Sequence, residues 1–261
     1  MLDPNWWNQG SGLAWHTSGH ELRVLSVIPS GEVADHHALL QACVYLQQQG
    51  YPVVVLDGTE RETPESPGLQ DLMQHGLGRS TLPVDMRQPQ IIASLPAACG
   101  MVQLAHLARV QGQMPLSLLQ HHVGHHALAV LVAPAPLLSP LLAGCQQPPL
   151  LMVPSQRSSV LSCYRALKQV FMDTGLMPRL LALRPEFMGL DPLLKSVARC
   201  SLHHLHTEPL AQQIDPDNPR QLQRWSLQCL EHAEVVQADH APEQSTALTH
   251  HSPTTPIAWN H

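Results

Sequence analysis

The residues that follow the first apolar strand of the chain have the position of a phosphate-binding loop but lack its chemistry. The pattern predicts a strand at 24–28, a Pro-Ser-Gly turn and a helix at 34–49. A phosphate-binding loop needs several glycines, a Lys for the β- and γ-phosphates, and a Ser or Thr for Mg²⁺. This loop has one glycine, no Lys and two carboxylates that would repel a triphosphate; its candidate residues are Ser30, Gly31, Glu32, Asp35, His36 and His37.

A second apolar strand, predicted at 53–56, delivers Asp57 at its carboxyl end, and Gly50 separates it from the preceding helix. Strand, loop, helix and strand in this order form the frame of a P-loop nucleotide-binding fold. The frame is present and the phosphate chemistry is missing. The sequence therefore predicts a degenerate nucleotide site, with neither ATP nor Mg²⁺ expected as a cofactor.

Composition narrows the class of protein. The chain has 261 residues, of which 44% are hydrophobic, and no apolar run reaches membrane-spanning length. No signal peptide is visible, and the six cysteines are scattered without a C-x-x-C pair. We therefore expect reduced thiols and a cytoplasmic protein. The net charge of −6 argues against direct nucleic-acid binding.

Alternating strands and helices predict an α/β fold with a doubly wound, mostly parallel sheet. We expect a flexible arm at 1–20, one domain at 21–235 and a disordered tail at 236–261. Further strands are predicted at 90–95, 127–133, 149–154 and 180–184. Helices are predicted at 68–75, 101–111, 115–122, 158–174, 191–203 and 219–233, with a helix or loop at 137–142.

Three further stretches have the order and spacing of motifs of a known family. The first covers 67–73 and 91–107, with a Pro-Ala-Ala-Cys-Gly turn before a Leu-Ala-His-Leu helix. The second is 152–168, a strand, a Pro-x-Ser turn and a helix with Tyr164 and Lys168. The third is Asn-Gln-Gly-Ser-Gly-Leu at 8–13, in the arm. Together they resemble the MinD/ParA-like P-loop NTPases, and within them the flagellar-number regulators FlhG (FleN), whose N-terminal motif is similar to 8–13.

The departures from this family concern its chemistry. The resemblance implies an Asp at the end of the 127–133 strand, where it would support Mg²⁺ and the attacking water, and Ala133 stands there instead. The loop Lys and Thr are also absent. Phosphoryl transfer depends on this charge stabilisation, so we expect no ATPase activity. The tail lacks the alternating basic and apolar residues of a membrane-docking helix, so membrane binding is not expected.

The resemblance implies partners in flagellar assembly, number or placement. One is the SRP-type GTPase FlhF, which the family's N-terminal motif stimulates through its Gln, here Gln9. The other is the flagellar switch (C-ring) or a flagellar transcription regulator; a homodimer is also open. We expect a pseudo-ATPase that acts as a regulator or adaptor. Its predicted partner-binding arm contains Trp6, Trp7, Gln9 and Leu13.

Two other functions stay open on the sequence. The chain could be an active MinD/ParA-type ATPase with an unusual loop, or a Rossmann-like domain that binds another small molecule at the carboxyl ends of its strands. A metal site is a further candidate, because His121, His122, His125 and His126 lie at i and i+4 spacing. No carboxylate or Cys accompanies them, so we interpret them as a His-rich surface and predict no metal.

Overall fold

The computed structural model describes residues 21–75, 92–185, 189 and 191–236. Eight strands form one sheet: β1 Leu22–Ile28, β2 Val53–Asp57, β3 Ala93–Pro96, β4 Leu128–Val132, β5 Leu150–Met152, β6 Arg179–Leu183, β7 Ala211–Ile214 and β8 Glu234–Val236. The helices are α1 Val33–Gln48, α2 Leu69–His75, α3 Ala98–Gln111, α4 Pro115–Val123, α5 Ala135–Leu138, α6 Val160–Thr174, α7 Pro192–Leu205 and α8 Pro219–Glu231. Short 3₁₀ helices lie at Ser139–Leu142 and Arg157–Ser159.

Seven of the strands run parallel in the order β3-β2-β4-β1-β5-β6-β7, and β8 pairs antiparallel with β1. On the edge that faces away from β4, β1 pairs with two strands, β8 and β5. Its amino-terminal half pairs with β8, through Leu22 to Val24, and its carboxyl-terminal end pairs with β5, through Val27 and Ile28. The predicted α/β, doubly wound and mostly parallel fold is confirmed, and its sheet and helices are consistent with a P-loop NTPase-like arrangement.

Alternate side chains of the central strands enter two separate cores, because successive residues of a strand point to opposite faces of the sheet. One core contains Val24 and Ile28 of β1 and is covered by helices α2 to α7. The other contains Leu25 and Val27 and is covered by α1 and α8. Burial on both faces explains why β2 and β4 read as continuous apolar runs in the sequence.

Helix ends follow local signals. Gly175, which has a φ of 75°, ends α6 in the left-handed conformation that glycine adopts at little cost. At the start of α7, the Asp191 carboxylate accepts hydrogen bonds from the backbone N–H groups of Leu193 and Leu194, at 2.6 and 3.3 Å. Asn218 caps α8 in the same way.

The sequence missed two strands and misplaced several boundaries. β7 (Ala-Gln-Gln-Ile) carries two glutamines at the edge of the sheet and so lacks an apolar run. β8 has three residues, and the predicted tail, 236–261, includes its last one, Val236. The predicted strand at 149–154 shortens to Leu150–Met152, and the helix at 158–174 begins as a 3₁₀ turn. The arm, residues 76–91 and residues 237–261 lie outside the described residues.

Candidate functional site at the carboxyl edge of the sheet

A topological switch point lies between β1 and β4, which are neighbours in the sheet. The chain leaves β1 into α1, on one face, and leaves β4 into α5, on the opposite face. In open α/β sheets, ligands bind at the carboxyl ends of the strands where connections diverge in this way. Several residues that the sequence assigned to the degenerate nucleotide site, among them Ser30 and Asp57, lie at this switch point.

A cavity of about 290 Å³ occupies this crevice. It gathers residues from the ends of β1, β2 and β4 and from the start of α1. Most of the sequence-predicted site residues line it, and its polar lining consists of Ser30, Glu32, His36, Asp57, Thr59 and Glu60, with Gly31 also contributing. Of the other predicted residues, Asp35 and Ala133 are buried and His37 is exposed, and none of the three is part of the lining.

Charge in this lining is of one sign. Three carboxylates, from Glu32, Asp57 and Glu60, contribute to it, and within the described ranges no Lys or Arg does. A carboxylate close to a phosphate raises the energy of the bound anion, since like charges repel strongly where water is partly excluded. A free phosphate group would meet negative charge here, and no cationic side chain of the described lining would offset it.

The loop between β1 and α1 is held by its own side chains. Gly31 adopts a φ of 83°, a conformation that a residue with a Cβ rarely takes. The backbone N–H of Glu32 donates to Ser30 Oγ at 3.1 Å. The Glu32 carboxylate then crosses to the loop after β5, where its Oε1 accepts from the backbone N–H and the Oγ–H of Ser155, at 2.8 and 2.7 Å. Two loops at the mouth of the crevice are thereby joined.

Asp35, in the first turn of α1, is 5% exposed. Burial raises the pKa of its carboxyl group; a hydrogen bond with Ser30 acts in the opposite direction, and the nearby Glu32 charge raises the pKa further. The guanidinium of Arg184 also lowers it slightly. A negative charge in this turn interacts favourably with the helix dipole, as the sequence indicated.

Arg184 does not provide a free cation for a phosphate. Its Nε lies 2.6 Å from Asp191 Oδ2, and its Nη2 donates to the backbone carbonyls of Val153 and Pro154, at 2.9 and 3.2 Å. These contacts hold the ends of β5 and β6 to the start of α7. The guanidinium is therefore engaged by Asp191 and by the end of β5.

Asp57 ends β2, as the sequence predicted, and is 6% exposed. Its Oδ1 accepts hydrogen bonds from the backbone N–H and the Oγ–H of Thr59, at 2.8 and 2.6 Å. Next to it, the backbone N–H of Gly58 donates to the Val132 carbonyl at 2.7 Å. The end of β2 is thus fixed against the end of β4, with one Asp57 oxygen committed to a turn.

Ala133 occupies the place at which the resemblance implies a metal-binding carboxylate. It is fully buried, and its backbone N–H donates to the Val27 carbonyl at 3.0 Å. A Cβ built on Gly58 would lie 2.8 Å from the Ala133 Cβ, so these two positions are in close contact. Any side chain at position 58 would therefore collide with Ala133.

Glu62 makes polar contacts that the sequence did not predict. It lies in the loop after β2, and its two carboxylate oxygens accept hydrogen bonds from the backbone N–H groups of Cys99 and Gly100, at 2.8 and 2.7 Å. The N–H of Gln70 adds a longer contact of 3.3 Å. Because Ala97 has no side chain that could cap α3, Glu62 supplies the cap from 38 residues away. No local sequence signal marks this role.

The His-rich segment does not form a helical face of four imidazoles. α4 ends at Val123, so His125 and His126 lie beyond it, in the turn before β4. His126 is 1% exposed, and its Nδ1 lies 3.2 Å from the Val123 carbonyl. In the described part of the chain, no three His, Cys, Asp or Glu side chains are grouped so that they could hold a metal ion.

Comparison with known proteins does not extend this description: no protein-family model matches the chain, and no curated protein matches it significantly.

Among the helices that the structure describes, none combines the length and apolar character needed to cross a membrane.

Proposed function

We propose that the chain is a regulatory or adaptor protein that retains a P-loop-like fold, hydrolyses no nucleotide and acts through protein–protein contacts. The observation that carries this proposal is the acidic carboxyl-edge cavity, where the lining residue Glu32 also accepts hydrogen bonds from Ser155 of the loop after β5. A fold of this class binds phosphates with backbone N–H groups and a Lys. Here the corresponding loop presents carboxylates instead.

Loss of the reaction follows from the same residues. Transfer of a phosphoryl group requires positive charge at the developing negative charge of the transition state. The lining of this cavity has no Lys or Arg among the described residues, and Arg184 is engaged by Asp191. The buried Ala133 cannot ligate a metal ion. The protein therefore acts by binding and not by turnover.

The proposed partners rest on the resemblance to the flagellar-number regulators. We infer that the chain works in the cytoplasm, in flagellar assembly, number or placement. One partner is an FlhF-type SRP GTPase, met by the arm through Gln9; the other is the flagellar switch or a flagellar transcription regulator, met by the domain surface. The arm lies outside the described residues, so its role is supported by its sequence alone.

Thermal unfolding with nucleotides tests the proposal. The full chain is heated with Mg-ATP, with Mg-ADP, and with magnesium alone as the control. We expect no change in melting temperature, because a ligand stabilises a protein only if it binds the folded state. A saturable increase with Mg-ATP that is absent with magnesium alone would favour an active or nucleotide-binding protein.

A second candidate function is the binding of a different small molecule in the carboxyl-edge cavity. Its volume of about 290 Å³ lies close to the lower end of ordinary ligand sites, and it occupies the switch point. Capture of flagellar proteins by the full chain separates the two functions. The adaptor proposal expects the FlhF-type GTPase or a switch component to be retained by the wild-type chain, whereas a small-molecule binder retains neither.

A further inference from the structure

A separate cavity of about 110 Å³ lies on the face of the sheet covered by α8. Three of its lining residues, Leu150, Arg179 and Ala211, are the first residues of β5, β6 and β7. The cavity therefore opens at the amino edge of the parallel strands, away from the switch point. Trp225 of α8 also lines it.

Arg179 is the only residue of the cavity lining, among those the structure describes, that carries a permanent charge. Its Nε is buried and has no hydrogen-bond partner in the described part of the chain. No carboxylate of the described residues lies within ion-pair distance of its guanidinium. Burial lowers the pKa of Arg179, which reflects the cost of removing this charge from water. Arg179 as a whole is half-buried. A charge held partly out of water without a counter-ion is unfavourable, and an anion at this place would reduce the cost.

The neighbouring groups do not neutralise this charge. Burial raises the pKa of the Cys229 thiol well above its ordinary value, and the adjacent Cys43 adds to the effect, so Cys229 stays a neutral thiol beside Arg179. Burial, followed by the charge of Arg179, lowers the pKa of His232, and the charge of Glu231, which does not line the cavity, opposes this shift. An imidazole with a lowered pKa is neutral near pH 7 and still carries one N–H donor.

Hydrogen-bond donors are also available from α8. Nε2 of Gln212 donates to Oε1 of Gln228 at 3.0 Å, and this bond leaves the Gln228 amide nitrogen as a donor. The remaining walls are apolar, with Leu150 and Leu181 from the sheet. The cavity thus combines one guanidinium, neutral donors and an apolar floor, with no carboxylate among the lining residues that the structure describes.

We propose that this amino-edge cavity binds a small organic monocarboxylate, whose carboxylate pairs with Arg179 and whose short tail lies against Leu181 and Trp225. An arginine fork matches a carboxylate with two parallel hydrogen bonds. The volume corresponds to about four water molecules, which is room for a carboxylate with a chain of about two or three carbons. This function is independent of the proposed adaptor role.

Calorimetric titration and thermal unfolding of the full chain, with acetate, propionate and butyrate at constant ionic strength, test the proposal. We expect saturable binding of at least one of them, and none of propionamide, which has the shape of propionate without its charge. R179Q should weaken binding by about tenfold or more, as expected when a charge-assisted hydrogen bond is lost. R179K, which keeps the charge without the fork, should give an intermediate affinity.

The matched control is R165Q, which removes the charge of an exposed arginine on α6 and should bind like the wild type. Circular dichroism shows whether R179Q is folded. If R179Q is unfolded, the affinity of R179K and the binding of the ligand series to the wild type test the proposal. Absence of saturable binding to the wild type, equal binding of propionamide, or equal affinity in R179Q and R165Q would overturn the proposal. Binding of inorganic phosphate alone would also overturn it, because the site would then not select a carboxylate.

Discussion

The carboxylate of Glu32 bridges the two loops of the carboxyl-edge cavity by accepting both polar hydrogens of Ser155, the backbone N–H at 2.8 Å and the hydroxyl at 2.7 Å. These residues are 123 positions apart in the chain. The contact ties the loop after β1 to the loop after β5. The Glu32 carboxylate thus adds negative charge to the cavity lining and also joins the two loops.

This bridge should contribute measurably to folding stability. In a double-mutant cycle of E32Q and S155A, followed by urea unfolding, we expect a coupling free energy of about 0.5–1.5 kcal/mol, because the hydroxyl bond is charge-assisted but partly exposed to water. E65Q, which changes an exposed glutamate of another loop, is the control and should cost almost nothing. Strictly additive effects of E32Q and S155A would show that the bridge does not persist in solution.

Glu62 should contribute more to the free energy of unfolding than an exposed glutamate does. Burial alone would raise its pKa, but hydrogen bonds from backbone N–H groups, with Gly100 and Cys99 foremost, outweigh this and leave the pKa lowered. Loss of the charge in E62Q should therefore reduce the free energy of unfolding by about 1–2 kcal/mol at pH 7. Urea unfolding of E62Q beside E65Q measures the difference, and equal midpoints would contradict the capping role.

The same carboxylate predicts an acid dependence of a defined sign. Because the folded pKa of Glu62 lies below the model-peptide value of 4.5, its contribution is fully present above about pH 4.5 and is lost as the pH falls through the folded pKa. The wild type should lose stability faster than E62Q in this acidic range. Parallel loss in both proteins would show that other groups govern it.

Protonation of His126 should reduce the folding stability at a higher pH than protonation of Glu62 does. Burial, and then the neighbouring His125, lowers its pKa from 6.5 to about 4, although a contact with the Val123 carbonyl opposes the shift. Between about pH 6.5 and 4, the unfolded chain binds a proton that the folded chain does not, so stability falls as the pH is lowered through this range. The loss contributed by His126 is on the order of 3 kcal/mol at most.

Replacement of His126 by Gln removes the titrating group and should flatten this part of the stability curve, even if the substitution lowers the plateau at pH 7. H37Q, which changes an exposed histidine of α1, is the matched control and should retain the wild-type slope. Urea midpoints measured from pH 7 to pH 4 provide the comparison. A slope in H126Q equal to that of H37Q would assign the acid sensitivity to other groups.

The central sheet could be predicted because its strands are buried on both faces. Residues 53–56 and 128–132 are almost uninterrupted β-branched or apolar runs, and the helices between them have an apolar face or end at glycine. β7 and β8 could not be recognised in this way. β7 is half polar, and β8 has only three residues. Both form because the neighbouring strands, β6 and β1, offer unpaired backbone groups.

The positions of the candidate site could be predicted, but its contacts could not. Chain order places Ser30 and Asp57 at the carboxyl ends of the parallel strands β1 and β2, which are separated by β4 in the sheet. The partners of Glu32, Glu62 and Arg184 come from distant segments, and no local pattern specifies such pairs. The expected loss of phosphate chemistry stays a prediction that turnover measurements must test.

No ATP hydrolysis above background is expected from the full chain. The reason is the absence of a loop Lys together with Ala133 at the expected place of the metal carboxylate. Phosphate release at steady state, with and without Mg²⁺, measures it, and D57A serves as the comparison because Asp57 is the one carboxylate of the implied site that remains. Turnover in the wild type that disappears in D57A would establish an enzyme.

The arm is expected to face a partner while the domain folds without it. The sequence of the arm has no periodic apolar face to bury against the domain. Deletion of residues 1–18 should therefore leave the melting temperature nearly unchanged and remove any stimulation of an FlhF-type GTPase. Tryptophans such as Trp6 and Trp7 would anchor the arm in a groove of that partner, since large aromatic residues dominate binding energy at interfaces.

A substitution of Gln9 should separate two effects of the arm, its binding to the partner and its stimulation of GTP hydrolysis by that partner. A glutamine can orient the attacking water in GTP hydrolysis, so Q9A should lose stimulation of the GTPase while it retains most of its affinity. W6A is the complementary variant and should lose affinity first. GTP turnover by the partner and a pull-down, measured on the same preparations, distinguish the two effects. Unfolding of the domain on deletion of the arm would instead make its tryptophans core residues, and stimulation unchanged in Q9A would remove Gln9 from the mechanism.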